Sequence, residues 1–308
     1  MKVFYHNDLD GHCAAFWCTF IPETKKEYYE INYNKPFPIG KIMPNETVYI
    51  VDFSISPEEM IDLLEITPNV VWIDHHKSSI DKYKNFRNEI AGIRYETKSA
   101  DEIKKDPNYI NMAGCALTYI YLNNMTKQGK GEVKPFDTKM YEQVPKFTRL
   151  ISDWDTWSLK LPQTKPFVIG CEIYDTNPES NFWIDLVNNE AATINKIIVE
   201  GKICIAYRDG WSKDFLKSYG FEVNFEGYKC FAANLGKCNS DYFKSIGGTD
   251  KYDILLPFIY DGKNWSVSLY SGQNGVDVSE IAKKYGGGGH AGAAGFISTK
   301  IPFKKEKS

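Results

Sequence analysis

The chain has 308 residues, of which 43% are hydrophobic and 15% aromatic, and it carries 37 basic and 40 acidic residues. This composition excludes a disordered chain and supplies enough apolar side chains for two moderate cores, so we expect two domains. The net charge of −3 argues against a surface that neutralises the many phosphates of a long duplex. The seven cysteines form no Cys-x-x-Cys pair, which argues against a disulfide framework and against a zinc ribbon.

The N-terminal residues lack the apolar core of a signal peptide, and no stretch of the sequence reaches membrane-spanning length. We therefore expect a cytoplasmic protein that does not have a membrane as a partner.

Short apolar runs that end in an acidic residue or a histidine are typical of the first half of the chain. Residues 3–5 lead to His6, residues 48–51 lead to Asp52, and residues 70–73 lead to Asp74. Ser56, Pro57 and Glu59 then supply the capping residues of a helix. This alternation predicts an α/β fold with a parallel sheet, and it places the polar residues at the carboxyl ends of strands, where open sheets bind ligands.

The second half of the chain has a different pattern. Residues 181–219 have helical periodicity, and strand-like runs follow at residues 221–225, 229–233, 254–260 and 265–270. Asp261 and Gly262 predict a turn between the last two runs. A final helix is predicted with Asp277 and Glu280 as its capping box, and with the glycine run 286–289 as its end.

All five histidines lie in three short polar clusters. In the first cluster, alternate positions of an extended loop would direct His6, Asp8 and Asp10 at a common centre. Carboxylates with some imidazole suit manganese or magnesium better than softer metals. The alternative for this segment is a solvated turn with a helix-capping aspartate.

The other acidic residues are ambiguous when each is taken alone. Asp52 and Asp153 are each more typical of a cap, a turn or a structural aspartate than of a ligand. His75 and His76 follow Asp74 directly and are adjacent, so they cannot both be core residues without hydrogen-bond partners. Such a pair is either a set of metal ligands or exposed at the surface.

Taken together, these clusters resemble the motifs of the DHH family of phosphoesterases. The four N-terminal motifs occur in order as His6-Asn7-Asp8-Leu9-Asp10-Gly11, Asp52, Asp74-His75-His76, and Asp153 within Leu150-Ile151-Ser152-Asp153. The segment 286–296, with its four glycines followed by His290, resembles the glycine-rich signature of the domain that accompanies this family. The resemblance implies a DHH domain over residues 1–185, a helical linker over 186–219, and a smaller α/β substrate-binding domain over 220–308. It also implies an active site in the cleft between the two domains.

The resemblance further implies two Mn²⁺ ions, with Mg²⁺ as the alternative. One ion would be bound by His6, Asp8 and Asp52, and the other by Asp10, Asp52, His75 and Asp153. Asp52 would then bridge the pair. Two divalent ions held close together lower the pKa of a water molecule and neutralise phosphate charge, so no serine or cysteine nucleophile is required.

The remaining motif residues would position ligands or substrate. The resemblance implies that Asp74 orients His75 and that His76 contacts the phosphate, so that Asp52, Asp74, His75 and His76 form the catalytic set. It also implies substrate binding by Gly287, Gly288, Gly289 and His290, since glycine lets backbone amides approach an anion closely. His12 and Asp155 have no clear counterpart in the family and are expected to be structural or to lie outside the ligand shell.

The spacing around His6 and the intact glycine signature look most like the nano-RNases of this family, so the expected partner is a short oligonucleotide or a small nucleotide. Nucleotide bisphosphates, cyclic dinucleotides and polyphosphate are alternative substrates, whereas inorganic pyrophosphatases lack this glycine-histidine signature. A non-catalytic nucleotide- or RNA-binding protein is the alternative from another class. The number of converging acids argues against it, because carboxylates repel phosphate until metals neutralise them. A homodimer is left open.

Overall fold

The computed structural model describes residues 1–23, 25–33, 35–98, 100–106, 108–128 and 138–304. The chain divides into two units, Met1–Lys202 and Ile203–Ser308.

The first unit is built on a four-stranded parallel sheet. Its strands are β1 (Lys2–His6), β2 (Glu27–Ile31), β3 (Val48–Val51) and β4 (Val70–Ile73), in the order β2-β1-β3-β4. The predicted α/β fold with a parallel sheet is therefore confirmed. Strand β2 was not predicted, because its sequence Glu-Tyr-Tyr-Glu-Ile lacks the continuous apolar run of a central strand and it lies at the edge of the sheet.

The first unit also contains helices, the last of which continues into the second unit. They are α1 (Leu9–Cys18), α2 (Pro57–Ile66), α3 (Lys77–Ile80), α4 (Ala100–Lys105), α5 (Gly114–Gln128), α6 (Thr138–Glu142), α7 (Lys146–Asp155), α8 (Thr164–Cys171), α9 (Asn181–Asn188) and α10 (Glu190–Tyr219). Short 3₁₀ turns lie at Ile39–Lys41 and Asp81–Tyr83. Helix α2 begins with the predicted capping box, in which Ser56 and Glu59 satisfy each other's backbone amides.

Alternate residues of the strands point to two different cores. Val3 and Val51 belong to the larger core, which includes residues of α1, α5 and α7, whereas Phe4 and Ile50 belong to a second core, which includes residues of α2. Because both faces are covered, the central strands are apolar throughout, and the polar residues that follow them are set at one edge of the sheet.

The second unit contains a six-stranded mixed sheet. Its strands are β5 (Phe221–Phe225), β6 (Tyr228–Asn234), β7 (Ile254–Tyr260), β8 (Trp265–Ser271), β9 (Gly288–His290) and β10 (Ala293–Ser298), in the order β5-β6-β7-β8-β10-β9. Helix α11 (Val278–Lys284) contributes Val278, Ile281 and Ala282 to the core of this unit, and 3₁₀ helices lie at Ser240–Ile246 and Gly248–Asp250. The smaller C-terminal α/β unit is as expected, although β9 and β10 were not predicted.

Two local predictions for the second half have different outcomes. The segment 181–219 is helical as predicted, and the contact boundary between the units falls inside α10, at Lys202. The predicted capping box of α11 is wrong. Asp277 accepts a hydrogen bond from the Ser279 amide (3.0 Å), whereas Glu280 pairs with Lys283 (2.5 Å). Among the described residues, no helix combines the length and the apolar character that crossing a membrane requires.

Candidate metal centre

Three of the predicted motifs leave the parallel sheet at the same edge. Tyr5 pairs with Val51 and Val51 pairs with Ile73, so the residues that follow these positions, His6, Asp52 and Asp74, emerge side by side. The sheet register therefore brings together side chains that are 46 and 22 positions apart in the sequence.

The first motif is a strand end followed by a helix start, and the predicted extended loop is wrong. His6 ends β1, Asp8 is the N-cap of α1, and Asp10 lies in the first turn of that helix. Asp8 accepts a hydrogen bond from the Gly11 amide through Oδ1 (2.9 Å), while its Oδ2 lies 2.5 Å from His6 Nδ1. Burial disfavours the charged form of Asp8, but the hydrogen bond and charge of His6 outweigh it and lower its pKa to about 2.

Asp52 is the central residue of the site. It is 1% exposed, and its φ of 53° lies in the left-handed region that residues other than glycine rarely adopt. Its Oδ1 lies 3.1 Å from His75 Nε2, and its Oδ2 lies 4.0 Å from His6 Nδ1. Oδ2 is buried and has no hydrogen-bond partner among the described residues. One carboxylate thus faces both histidine-bearing motifs.

The start of helix α5 lies against Asp10, a contact that was not predicted from the sequence. Asp10 accepts hydrogen bonds from the amides of Gly114 (2.7 Å) and Cys115 (3.0 Å). A Cβ at Gly114 would lie 2.5 Å from the Cβ of Asp52, so only glycine lets the helix approach Asp52 this closely. The sequence contains one signal for this contact, a glycine placed just before an apolar helical run.

The hydrogen bonds of the third motif differ from those expected. Asp74 accepts hydrogen bonds from the hydroxyl of Ser54 and from the amides of His75 (2.8 Å) and His76 (3.3 Å). Its Oδ1 also lies 2.7 Å from His76 Nδ1. The prediction that Asp74 orients His75 is therefore wrong, because the imidazole that Asp74 contacts belongs to His76.

His75 is instead positioned by a residue from a later loop. Its Nδ1 lies 2.8 Å from the hydroxyl of Thr97, which leaves Nε2 directed at Asp52. Burial lowers the pKa of His75, and the neighbouring His76 lowers it further. A neutral imidazole with one nitrogen free is the form in which histidine binds metal ions. Thr97 carried no sequence signal, since it lies 22 residues from His75 in an irregular segment.

The fourth motif requires a correction. The carboxylate of Asp153 accepts hydrogen bonds from the amides of Lys160 (2.9 Å) and Leu161 (3.1 Å) and from the hydroxyl of Thr164. Asp155, which was expected to be structural or peripheral, places its Oδ2 3.2 Å from His75 Nε2. The structure therefore gives Asp155 the position that was predicted for Asp153, and Asp153 organises the chain that follows α7.

Helical geometry explains this exchange. Residues two apart on a helix are rotated by about 200° around its axis and so point to nearly opposite sides, which prevents Asp153 and Asp155 from both facing the site. Asp155 shares a face of α7 with Ser152, which accepts from the Ala113 amide, and with Thr148, which accepts from Trp17 of α1. Thr148, Ser152 and Asp155 are spaced by four and three residues and so form one polar face of α7. This spacing is the feature of the sequence that favours Asp155 as the residue facing the site.

The candidate ligand atoms form three groups that share residues. Within each group, one ligand atom per residue lies within 4.8 Å of those of the other members. The groups are His6, Asp8 and Asp52; Asp10, His75 and Asp155; and Asp52, Asp74, His75 and His76. Desolvation and the charges of Asp10, Asp8 and Asp155 raise the pKa of Asp52 well above its usual range. Desolvation and the charges of Asp10 and Asp8 raise that of Asp155 too, although 27% of its side chain is exposed.

This arrangement fits a divalent cation. Carboxylates about 4 Å apart repel by about 4 kcal/mol at an effective dielectric constant of 20, and a cation between them reverses the sign of that energy. The buried Asp52 Oδ2 has no protein donor in the described residues, so a metal ion would satisfy it. Oxygen-rich donor sets that also include imidazole suit manganese or magnesium.

The predicted glycine segment belongs to the second unit, and His12, in the first unit, is not a member of these groups. His12 contacts Thr176 through Nδ1 (2.9 Å) and Glu30 through Nε2 (3.2 Å). Gly288 and Gly289 lie in β9, where they pair with Gly295 and Ala294 of β10, and Gly287 precedes them. The ring of His290 lies outside the side chains that the structure describes, so its predicted contact with substrate stays a prediction.

Comparisons with known proteins give likenesses over most of the chain. No family model matches it. A curated relative, an uncharacterised protein of Acanthamoeba polyphaga mimivirus, is 25% identical over 274 residues, which are 85% of this chain and 56% of the relative. The chain thus spans little more than half the length of the curated relative it matches.

The chain is also similar to solved structures. The pGpG-specific phosphodiesterase PggH of Vibrio cholerae matches 97% of this chain and 93% of its own (13% identity, TM-score 0.48). An exopolyphosphatase-related protein of Bacteroides fragilis matches 97% of this chain and 87% of its own (14% identity, TM-score 0.48). RecJ of Thermus thermophilus, in complex with Mn²⁺, matches 96% of this chain and 49% of its own (13% identity, TM-score 0.46).

Proposed function

We propose that this chain is a divalent-metal-dependent phosphoesterase that hydrolyses phosphodiester bonds in short oligonucleotides. The observation that supports it most strongly is Asp52, a buried carboxylate whose two oxygens face two separate sets of candidate ligands. An uncompensated buried carboxylate among other acids is costly in a merely structural role, whereas a metal centre requires it.

The ligand assignment follows the geometry. His6, Asp8 and Asp52 would hold one ion, and Asp10, His75 and Asp155 would hold another, with Asp52 shared between them. Manganese is the ion we expect, and magnesium is the alternative. When bound, two such ions supply Lewis acidity, a water of lowered pKa, and neutralisation of phosphate charge.

The protein's own residues would position these parts. Thr97 holds His75 with Nε2 directed into the cluster, and the buried Asp74 holds His76. Burial disfavours the charged form of His76, but the hydrogen bond and charge of Asp74 outweigh it and raise its pKa to about 9. The side chain of His76 remains 34% exposed, so its imidazolium is available to donate a hydrogen bond to a phosphate oxygen.

The preference for a short substrate follows from charge. The chain has fewer basic than acidic residues, and outside its C-terminal tail its longest basic runs are pairs such as Lys25-Lys26 and Lys283-Lys284. Few phosphates can therefore be neutralised at once. Contact of the substrate with the glycine segment 287–289 and with His290 is part of this proposal.

The test is steady-state hydrolysis by the purified protein with Mn²⁺, on RNAs from two nucleotides upward at two salt concentrations. We expect kcat/KM to be highest for oligomers of about two to five residues, with a shallow salt dependence, because few phosphates are contacted. Cyclic dinucleotides, nucleotide bisphosphates and polyphosphate belong in the same panel. Rates that rise steadily with RNA length, or the absence of Mn²⁺-dependent hydrolysis of every substrate, would contradict the proposal.

A further inference from the structure

A cavity of about 420 Å³ lies in the first unit. Its lining includes Phe53 and Ser54, the two residues that follow Asp52, and Ser54 also donates a hydrogen bond to Asp74. The cavity volume lies in the range of small-molecule sites and is large enough for one nucleotide. The cavity is therefore lined by the chain segment that directly follows the candidate ligand Asp52.

One wall of the cavity is an aromatic platform made of Tyr33 and Phe53. Their rings are stacked, with centroids 4.3 Å apart and an angle of 22° between planes. Phe53 is buried and its ring covers one face of the Tyr33 ring, whereas Tyr33 is 53% exposed, so part of Tyr33 is open to solvent. An aromatic ring that is fixed from behind and open in front is the arrangement on which nucleobases stack.

This platform is tied to the ligands of the candidate metal centre. The His6 ring lies 5.7 Å from that of Tyr33 and 6.1 Å from that of Phe53. Asn32 donates a hydrogen bond (2.8 Å) to Asn7, which lies between the ligands His6 and Asp8. A phosphate held at the ligand groups would therefore carry its attached nucleoside to within reach of Tyr33.

Two lysines, Lys35 and Lys82, line the same cavity. Other lysines close by in the sequence are paired, with Lys77 2.6 Å from Glu96 and Lys84 2.8 Å from Asp81. Within the described ranges, neither Lys35 nor Lys82 forms an ion pair.

The cavity also contains a carboxylate, but that group is engaged in the helix cap. Glu59 accepts a hydrogen bond from the Ser56 amide (2.9 Å) as part of the capping box of α2. Among the described residues of this lining, two lysines that form no ion pair therefore outnumber the one acidic side chain, which favours an anionic occupant.

We propose that this cavity is a nucleotide subsite, in which a base stacks on Tyr33 while Lys35 and Lys82 pair with the phosphate on the far side of that nucleoside. The proposal rests on the proposed function for the reaction, and it specifies the substrate as an oligonucleotide with a phosphate on the nucleotide that occupies this subsite. It separates nucleotide substrates from polyphosphate, which has no base to stack.

The first experiment compares a dinucleotide with its analogue in which one base is removed, each with and without a terminal phosphate. Tyr33→Ala should lower kcat/KM for the intact dinucleotide by about 5- to 150-fold, the range expected for loss of one base-stacking contact. It should change the rate on the abasic analogue by no more than about twofold. Tyr33→Phe keeps the ring and should restore most of the lost rate. Equal losses on intact and abasic substrates would overturn the stacking role.

The lysines are tested with the terminal phosphate. Lys82→Gln combined with Lys35→Gln should raise KM for the dinucleotide with a terminal phosphate by about 5- to 30-fold, as expected for loss of charge-assisted contacts, and change KM for the unphosphorylated dinucleotide little. Lys213→Gln, an exposed lysine of the second unit, is the matched control. A KM that rises equally for both substrates would overturn the assignment of a phosphate position.

The second experiment measures binding and does not depend on turnover. Equilibrium dialysis of a radiolabelled nucleoside monophosphate is carried out with Mn²⁺ on wild type, Tyr33→Ala, Tyr33→Phe and the control Tyr207→Ala, which removes a ring that is 75% exposed in the second unit. We expect weaker binding only in Tyr33→Ala. If wild type hydrolyses no phosphoester but shows this pattern, the proposed function fails and the subsite stands. If the protein is active but Tyr33→Ala binds like wild type, the subsite fails.

Discussion

The carboxyl edge of the parallel sheet and the glycine-rich strand pair β9–β10 were both predicted to be functional, and the structure gives them different physical explanations. At the sheet edge, Asp52 is 1% exposed and one of its oxygens has no donor in the described part of the chain. Directly before β9, a Cβ at Gly287 would lie 2.1 Å from the carbonyl oxygen of Gly295 in β10, so this position requires glycine to pack against the sheet.

The difference shows what kind of observation points to a ligand. The close approach of neighbouring backbone to Gly287 is enough to explain why this residue is glycine. The acids around Asp52 repel one another and raise its pKa, so the described residues alone leave that site incomplete. A bound cation would complete the first region, whereas the second is open to a structural role, to substrate binding or to both.

The largest expected effect is that of Asp52→Asn. Because Asp52 faces both ligand groups, we expect metal affinity to fall by more than about 100-fold and hydrolysis to be close to background. This loss exceeds the roughly 10- to 100-fold that is typical when a residue hydrogen-bonded to a metal ligand is replaced. Without metal, the variant should unfold at the same temperature as wild type or a higher one, since a repelling buried charge is removed. Thermal unfolding with and without Mn²⁺ measures both effects. A variant with normal Mn²⁺-dependent stabilisation would show that Asp52 is not a shared ligand.

The paired variants Asp155→Asn and Asp153→Asn should have opposite consequences. Asp155→Asn should weaken metal binding strongly and leave the stability of the metal-free protein unchanged or higher. Asp153→Asn should retain metal but lower the unfolding free energy by about 1–3 kcal/mol, since it disturbs acceptors for Lys160, Leu161 and Thr164. Calorimetric titration with Mn²⁺ and urea unfolding separate the two effects. The opposite assignment would restore Asp153 as the ligand.

A smaller effect is expected from Thr97→Val, which keeps the shape of the side chain but removes the oxygen next to His75 Nδ1. Metal affinity should fall about 10- to 100-fold, the usual cost of losing a hydrogen bond that orients a histidine ligand. Thr97→Ser is the matched control and should bind metal nearly as well as wild type. If Thr97→Val and Thr97→Ser are both indistinguishable from wild type, His75 does not need this contact.

The smallest effect concerns the glycine run. Gly287→Ala should destabilise the second unit by about 1–3 kcal/mol through overpacking, without a change in metal affinity. Gly288→Ala is the matched control, because a Cβ there meets no atom within 4 Å. Unfolding curves and KM distinguish the two possible roles of the run. An increase in KM for Gly288→Ala at unchanged stability would indicate that the run contacts substrate.

Many of the residues at the carboxyl edge of the parallel sheet could be predicted from the sequence, because parallel strands end at a common edge. His6, Asp52 and Asp74 follow apolar runs directly, and the register places them together. Two predictions about individual side chains were wrong. The choice between Asp153 and Asp155 depends on the rotation of α7, and adjacency in the sequence does not show whether Asp74 contacts His75 or His76.

The remaining contacts join residues that are far apart in the sequence. The start of α5 reaches Asp10 across 104 residues, and Thr97 reaches His75 from an irregular loop. Local propensity carries no information about such pairs, because packing of the complete unit determines them. The same holds for the stacking of Tyr33 on Phe53, which joins an edge loop to the segment after β3.

The most direct test of the central claim is anomalous diffraction from crystals of the protein grown with Mn²⁺. We predict two manganese peaks, one bound by His6, Asp8 and Asp52 and the other by Asp10, His75 and Asp155, with Asp52 in contact with both. A manganese ion on the carboxylate of Asp153, or the absence of manganese at Asp52 in crystals saturated with the ion, would contradict this account.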